Sequence, residues 1–100
     1  MHYNIARLDF VSMRLAIHCA EEGSLSAAAK LVHCSLPTAS QRLTALESAL
    51  GRKLFCRDHR GVQLTEQGEL FVRHARRILS HLDELGKEFG PAVRSFQEQP

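Results

Sequence analysis

The chain has no long run of apolar residues, and its first residues lack the basic-then-apolar pattern of a secretory signal peptide. Its cysteines, Cys19, Cys34 and Cys56, are odd in number and far apart, so they do not suggest a framework of disulfide bonds. These absences together predict a reduced, cytoplasmic setting.

The sequence also lacks the short motifs from which enzymes build active sites. It contains no nucleophile-elbow sequence, no phosphate-binding loop and no paired carboxylates suited to acid–base chemistry. Its 100 residues suffice for one domain with a modest core, but not for a core that also shelters a catalytic cleft. We therefore reject an enzymatic function.

A metal or redox sensor is an alternative that the cysteines and histidines raise. Cys56 and His59 have the spacing of half a zinc-binding pattern. The other candidates, His33 and Cys34, are adjacent to each other and do not supply a second spaced pair. The pattern disfavours a sensor, and we expect no metal and no cofactor in this domain.

The positive charge of the chain is concentrated in its second half. The formal net charge is only +2, and residues 1–50 contain four Lys or Arg and four acids. Arg52–Arg77, in contrast, contains seven Lys or Arg against three acids. Such a local surplus indicates a surface that attracts phosphate groups.

Residues 24–50, SLSAAAKLVHCSLPTASQRLTALESAL, have the pattern of two helices with a sharp break between them. Ser24 opens the first helix, which is short and rich in alanine. Ser35 is a typical N-cap for the second, and Pro37 lies in the first turn, where its missing N–H is tolerated. Two helices joined by about three residues form the outline of a helix-turn-helix.

The second of these helices has one apolar and one polar side. Its apolar residues recur at gaps of four, three and four and predict the buried side: Ala39, Leu43, Leu46 and Leu50. The opposite residues, which we call the outward face, are Thr38, Gln41, Thr44 and Ala45. Ser40 and Arg42 lie on the flanks. Side chains of these types can contact a base edge or a phosphate, although a solvated surface is the alternative.

A small β-hairpin is predicted after this helix. Two short apolar runs, Leu54–Cys56 and Val62–Leu64, flank a polar turn at Arg57–Gly61, in which Gly61 supplies the unusual backbone conformation. The basic residues expected at or near the tip are Arg57, His59 and Arg60. A basic hairpin beside a helix-turn-helix can act as a wing that touches the DNA backbone or minor groove, whereas a plain charged loop is the alternative.

Helices are also predicted on both sides of this region. An amphipathic helix with Phe10, Met13, Ala16, Ile17 and Ala20 on one stripe begins near Leu8 and ends at Gly23, whereas Met1–Arg7 is expected to fray. A long helix, capped by Thr65, is predicted at Glu66–Phe89.

The long helix carries apolar residues at a 3.5-residue repeat, which keeps one side facing a partner helix. Its length, about 36 Å at the usual rise, exceeds what a small core can cover. We therefore expect it to pair with the same helix of a second chain, with burial inside one chain as the alternative. The residues expected in this dimer contact are Phe71, Ala75, Ile78, Leu79, Leu82, Leu85 and Phe89.

The whole pattern resembles the N-terminal domain of LysR-type transcriptional regulators. The similarity is carried by AEEGSLSAAAKLVHCS (Ala20–Ser35), LPTASQRLTALESALGRKLFCR (Leu36–Arg57) and LTEQGE (Leu64–Glu69). The resemblance implies a winged helix-turn-helix, a dimer formed by the linker helix, and binding to interrupted inverted repeats in double-stranded DNA. It also implies a separate C-terminal domain that senses a small-molecule inducer. Because the chain stops about where that domain should begin, we expect it to be a fragment.

The resemblance places individual residues on the DNA surface. Pro37, Thr38 and Ser40 match groove-facing positions of the recognition helix, and Arg57 and Arg60 match basic positions of the wing. The full set expected to contact DNA is Ser24, Ser26, Ser35, Leu36, Pro37, Thr38, Ser40, Gln41, Arg42, Thr44, Arg57, His59 and Arg60.

This chain departs from the family pattern at two places in the recognition helix. The family usually has glutamine at position 36, where Leu36 can contact a thymine methyl group but cannot form a side-chain hydrogen bond. The family also has Ser-Arg-Gln where this chain has Ser40-Gln41-Arg42. We expect general DNA binding to survive both changes and the preferred base sequence to differ.

The predicted fold is mainly α: a winged helix-turn-helix at residues 8–65, with the helix-turn-helix at about 25–44, a dimerisation linker helix at 66–90 and a flexible linker at 91–100. The predicted function is sequence-specific DNA binding by a bacterial transcription regulator. A plain coiled-coil dimerisation module is a further alternative, which the polar start of the recognition helix and the basic hairpin disfavour.

Overall fold

Three short helices, a hairpin and one long helix follow each other along the chain. The computed structural model describes residues 7–90. Their order is α1 (Phe10–Glu22), α2 (Leu25–Leu31), α3 (Leu36–Leu50), β1 (Phe55–Asp58), β2 (Gly61–Leu64) and α4 (Glu66–Phe89). The predicted winged helix-turn-helix and the predicted bounds of α4 are therefore confirmed. The flexible linker predicted at 91–100 lies outside the described residues.

Each helix begins at a side chain that accepts a hydrogen bond from a free backbone N–H. Asp9 Oδ1 accepts from Ser12 N at 2.7 Å, and Thr65 Oγ1 accepts from Gly68 N at 3.0 Å. The N-caps of α2 and α3 are the serines predicted from the sequence. Such caps fix where each helix starts and stabilise it by about 1 kcal/mol each.

The core lies where α1, α2 and α3 meet the base of the hairpin. Its side chains with almost no exposure are Leu15, Cys19, Leu43, Leu46 and Leu54. The stripe predicted for α1 is partly wrong, because Leu15 and Cys19 face the core whereas Phe10 is 48% exposed. The apolar side predicted for α3 is confirmed.

The hairpin is an antiparallel pair in which Phe55 lies opposite Leu64 and Asp58 opposite Gly61. We call residues 55–64 the wing. Its turn consists of His59 and Arg60 alone, so the predicted five-residue turn is too long. Asp58 Oδ1 accepts a hydrogen bond from Arg60 N at 2.8 Å, and this contact tightens the turn.

Gly61 joins the wing to the rest of the fold. Its φ of +112° suits glycine, and a Cβ at this position would clash with the carbonyl oxygen of Gly23. That same oxygen accepts a hydrogen bond from Val62 N at 3.1 Å. The wing therefore leaves the core at a fixed angle, set by the end of α1.

A buried carboxylate anchors the other strand of the wing. Glu47 Oε2 accepts hydrogen bonds from Leu54 N at 2.8 Å and Phe55 N at 3.2 Å, and Lys53 Nζ lies 3.5 Å from its other oxygen. Because a carboxylate that receives two N–H groups compensates for its own desolvation, this contact joins α3 to the start of β1.

Helix α4 begins inside the core and then extends beyond it. Val72 and Ala75 are buried, and Arg76 Nη1 lies 3.0 Å from Glu21 Oε2 of α1. The division into a domain of residues 8–65 and a separate linker helix stays a prediction, since the first turns of α4 share the core. No helix within residues 7–90 is both long and apolar enough to cross a membrane.

Candidate nucleic-acid interface

The outward face of α3 lies on the surface, as predicted. Gln41 and Thr44 are exposed, and Thr38 and Ala45 are partly exposed. Leu36, at the start of α3, is 47% exposed, which is unusual for a leucine so close to a folded core. An exposed helix that presents amide, hydroxyl and methyl groups has the chemistry needed to contact base edges.

Two of the serines predicted to contact DNA serve as helix caps. Ser24 Oγ accepts a hydrogen bond from Ala27 N at 3.2 Å. Ser35 Oγ accepts from Thr38 N at 3.3 Å and donates to Thr38 Oγ1 at 3.0 Å. Ser26 is exposed. The caps orient the first turn of α3, and any DNA contact by these serines stays a prediction.

Arg57 connects the wing to α3. Its Nη1 donates a hydrogen bond to Ser40 Oγ at 3.2 Å, across 17 residues of sequence. The structure thus brings together two residues that the sequence predicted separately. This contact holds a cation at the flank of α3, and the DNA contact of Arg57 stays a prediction.

The tip of the wing presents a second cation. Arg60 Nη2 lies 3.0 Å from Asp58 Oδ2, and the Arg60 side chain is 63% exposed. Exposed pairs of this kind contribute little stability, at most about 1 kcal/mol. The DNA contact of Arg60 stays a prediction. His59, beside it in the turn, is exposed.

Arg42 lies on the flank of α3, as predicted, but its guanidinium faces the start of α1. Its Nη1 is 3.8 Å from Asp9 Oδ2, and its Nε is buried without a hydrogen-bond partner in the described part of the chain. This orientation directs the guanidinium away from the outward face. An exposed ion pair of this kind is weak, so the DNA contact of Arg42 stays a prediction.

The predicted dimer residues of α4 divide into three groups by their contacts and exposure. Phe71 packs against the core and Ala75 is 1% exposed, so within one chain these two have the intramolecular role that the sequence left as an alternative. Leu79 and Leu82 are partly exposed. The apolar side chains that remain exposed along this row are Ile78, Leu85 and Phe89, at 43%, 47% and 70%.

Sequence reasoning missed three residues that support the interface. Glu47 follows Leu43 by four residues, a spacing that could have placed it on the buried side of α3. Gly68 contacts the Leu54 backbone, which only the tertiary structure reveals. Arg7 was expected to fray, yet it lines a shallow groove along α3.

The three cysteines differ in how far their thiols are exposed. Burial raises the pKa of Cys19 to about 11, although the nearby Arg57 opposes part of this rise. The Cys19 thiol therefore stays protonated and unreactive near neutral pH. Cys34 is partly exposed and Cys56 exposed. Nowhere between residues 7 and 90 do three His, Cys, Asp or Glu side chains come together to hold a metal ion.

The family model and the relatives that match this chain belong to the same protein family. Residues 10–69 match the family model for bacterial regulatory helix-turn-helix proteins of the lysR family. The chain is 44% identical over 80 residues to the HTH-type transcriptional regulator ClcR of Pseudomonas putida, covering 80% of this chain and 27% of ClcR. It is 39% identical over 87 residues to TcbR of Pseudomonas sp. (strain P51), covering 87% of this chain and 30% of TcbR.

Solved structures give the same result. The DNA-binding domain of CbnR, crystallised with DNA, has a TM-score of 0.76 at 40% identity and covers 80% of this chain and 92% of that chain. Full-length CbnR, a LysR family transcriptional regulator, has a TM-score of 0.75 at 40% identity, covering 80% of this chain and 28% of CbnR. The chain thus spans less than a third of the length of ClcR, TcbR and full-length CbnR.

Proposed function

Because this chain belongs to the lysR family of bacterial regulatory helix-turn-helix proteins, we propose that it is a dimeric, sequence-specific DNA-binding domain of a transcription regulator. In this role α3 enters the major groove, the wing contacts the backbone or minor groove, and α4 joins two copies. No enzymatic activity is part of this role.

One observation carries the proposal: the hydrogen bond of Arg57 to Ser40. It fixes the cationic wing against the flank of α3, whose outward face is polar and exposed. The B-DNA major groove is about 12 Å wide and admits one α-helix. A helix seated there places a neighbouring basic strand beside the phosphates that border the groove, so base contacts and phosphate contacts form together.

The base preference depends on two exposed residues of α3. Glutamine can bond the N6 and N7 atoms of adenine with two hydrogen bonds, and leucine can pack on a thymine methyl group. We propose that Gln41 and Leu36 make these two contacts. The half-site would then favour an A·T pair at the position that residue 41 contacts. An arginine at position 41 would favour guanine there instead.

The remaining properties concern the whole protein. We propose that two copies bind an interrupted inverted repeat, because a dimer with twofold symmetry matches half-sites of the same symmetry. We further propose that the DNA-binding domain needs no cofactor, that a small-molecule inducer binds a C-terminal domain, and that the protein acts in the cytoplasm. The family membership supports each of these proposals.

Replacing Arg60 with alanine tests the role of the wing. We expect the variant to bind all DNA sequences more weakly, because a phosphate contact is independent of sequence. The slope of log affinity against log salt concentration should become shallower by about 0.9 per wing. Fluorescence anisotropy with a labelled duplex, repeated over a series of salt concentrations, measures both effects.

The matched control is Lys87→Ala, which removes the same charge from an exposed position near the end of α4. Its salt slope should equal that of the wild type. If Arg60→Ala and wild type show the same affinity and slope, the wing does not contact phosphate. If the wild type binds no duplex even at low salt, the proposed function itself fails.

A further inference from the structure

Arg7 lies against the same side of α3 that we propose to face DNA. Its exposed side chain lines a shallow groove whose other walls are formed by Ser40, Gln41, Thr44, Ala45 and Ser48. Three of these residues belong to the outward face. The segment before α1 thus adds a cation to a surface that α3 builds from neutral side chains.

This cation matters because α3 supplies none to its own outward face. Residues 36–50 contain a single basic residue, Arg42, and its guanidinium is directed to Asp9 at 3.8 Å. Position 41, the centre of the outward face, carries the neutral Gln41. A helix that approaches the phosphate-lined major groove with one cation, and that one directed to an acid, depends on neighbouring segments for more contacts to phosphate.

The neighbourhood of Arg7 leaves its charge available. The acid nearest in sequence, Asp9, already accepts a hydrogen bond from Ser12 N at 2.7 Å through Oδ1 and faces Arg42 through Oδ2. The one acid on the adjacent stretch of α3, Glu47, is buried and bonded to the wing strand. Neither carboxylate therefore neutralises Arg7.

We propose that Arg7 is a DNA-contact residue that binds a backbone phosphate at the edge of the major groove entered by α3. Phosphate is the expected partner because Thr44 and Ser48, in the C-terminal half of α3, line the groove that holds Arg7. The N-terminal part of a recognition helix reaches the base edges, while its later turns pass the sugar-phosphate backbone. This inference rests on the proposed function.

The test compares wild type, Arg7→Ala, Arg7→Lys and the control Lys87→Ala by anisotropy, on a labelled duplex of random sequence and on duplexes that differ from it at single base pairs. Arg7→Ala should reduce affinity severalfold and make the salt slope shallower by about 0.9 per subunit. Arg7→Lys keeps the charge and should restore most of the slope. Lys87→Ala should behave as wild type. Thermal melting followed by circular dichroism confirms that each variant folds.

The outcomes separate the inference from the proposal on which it rests. Equal slopes for wild type and Arg7→Ala, with DNA binding intact, would overturn the Arg7 contact and leave the proposed function standing. A loss confined to duplexes with one particular base pair would assign Arg7 to a base edge and overturn the phosphate contact. Absence of any binding by the wild type would overturn both.

Discussion

Glutamate at both Ile78 and Leu85 is expected to convert the proposed dimer into a monomer that remains folded. Both side chains are exposed in a single chain, at 43% and 47%, so their replacement removes no contact of the core. In a dimer through α4, however, each would place a carboxylate in an apolar contact. Burial of an unpaired charge costs several kcal/mol, which exceeds what a short helix pair can supply.

The chain offers a closely matched control for this change. Ser80→Glu with Lys87→Gln alters two exposed positions of the same helix at the same spacing, and lowers the formal charge by the same amount. These two residues lie on the opposite side of α4. Light scattering should give a monomer mass for Ile78→Glu/Leu85→Glu and a dimer mass for the control. A dimer mass for both would show that this row of α4 is not the dimer contact.

Alanine at Gly68 is expected to destabilise the fold strongly. A Cβ at this position would clash with the carbonyl oxygen of Leu54 and press on the side chain of Leu64. The Leu54 carbonyl cannot move freely, because it accepts a hydrogen bond from Thr65 N at 2.9 Å. Overpacking of this kind costs about 1–3 kcal/mol and sometimes more.

The higher helix propensity of alanine acts in the opposite direction, but it does not determine the sign of the stability change. Replacing glycine with alanine inside a helix contributes about 1 kcal/mol of stability. The backbone clash is larger, so the net change in unfolding free energy should be a loss. Urea unfolding measures it, and Gln67→Ala, at the exposed neighbouring position, is the control expected to change stability by less than about 0.5 kcal/mol. A Gly68→Ala protein as stable as wild type would contradict the close packing of α4 on Leu54.

The local features of this fold could be predicted because short stretches of sequence determine them. Ser24, Ser35 and Thr65 cap helices as expected, since a cap involves residues only three positions apart. The buried side of α3 follows from the spacing of its apolar residues. These local features were enough to indicate a helix-turn-helix and a wing.

Contacts between distant segments could not be predicted in the same way. The pairing of Arg42 with Asp9 at 3.8 Å is one such contact, because helix spacing gives the direction of a side chain but not its neighbours from other segments. Phe71 and Ala75 continue the apolar repeat of α4, yet α1 and the core cover that part of the helix. The repeat alone does not distinguish burial within one chain from burial between two.

The two-residue turn of the wing shows a further limit. The polar run Arg57–Gly61 suggested a longer loop, because Arg57 and Asp58 are not apolar. In the structure both belong to β1, whose exposed side carries polar residues, and Asp58 bonds the turn backbone. A prediction that relies on apolar residues therefore underestimates the length of hairpin strands that carry polar residues on their exposed side.

Selection of bound duplexes from a random pool tests most directly whether the outward face of α3 reads DNA sequence. The account predicts enrichment of an interrupted inverted repeat, with half-site centres one helical turn or a multiple of it apart and adenine at the position contacted by Gln41. A pool that stays random after repeated rounds, although the protein is folded and dimeric, would contradict it.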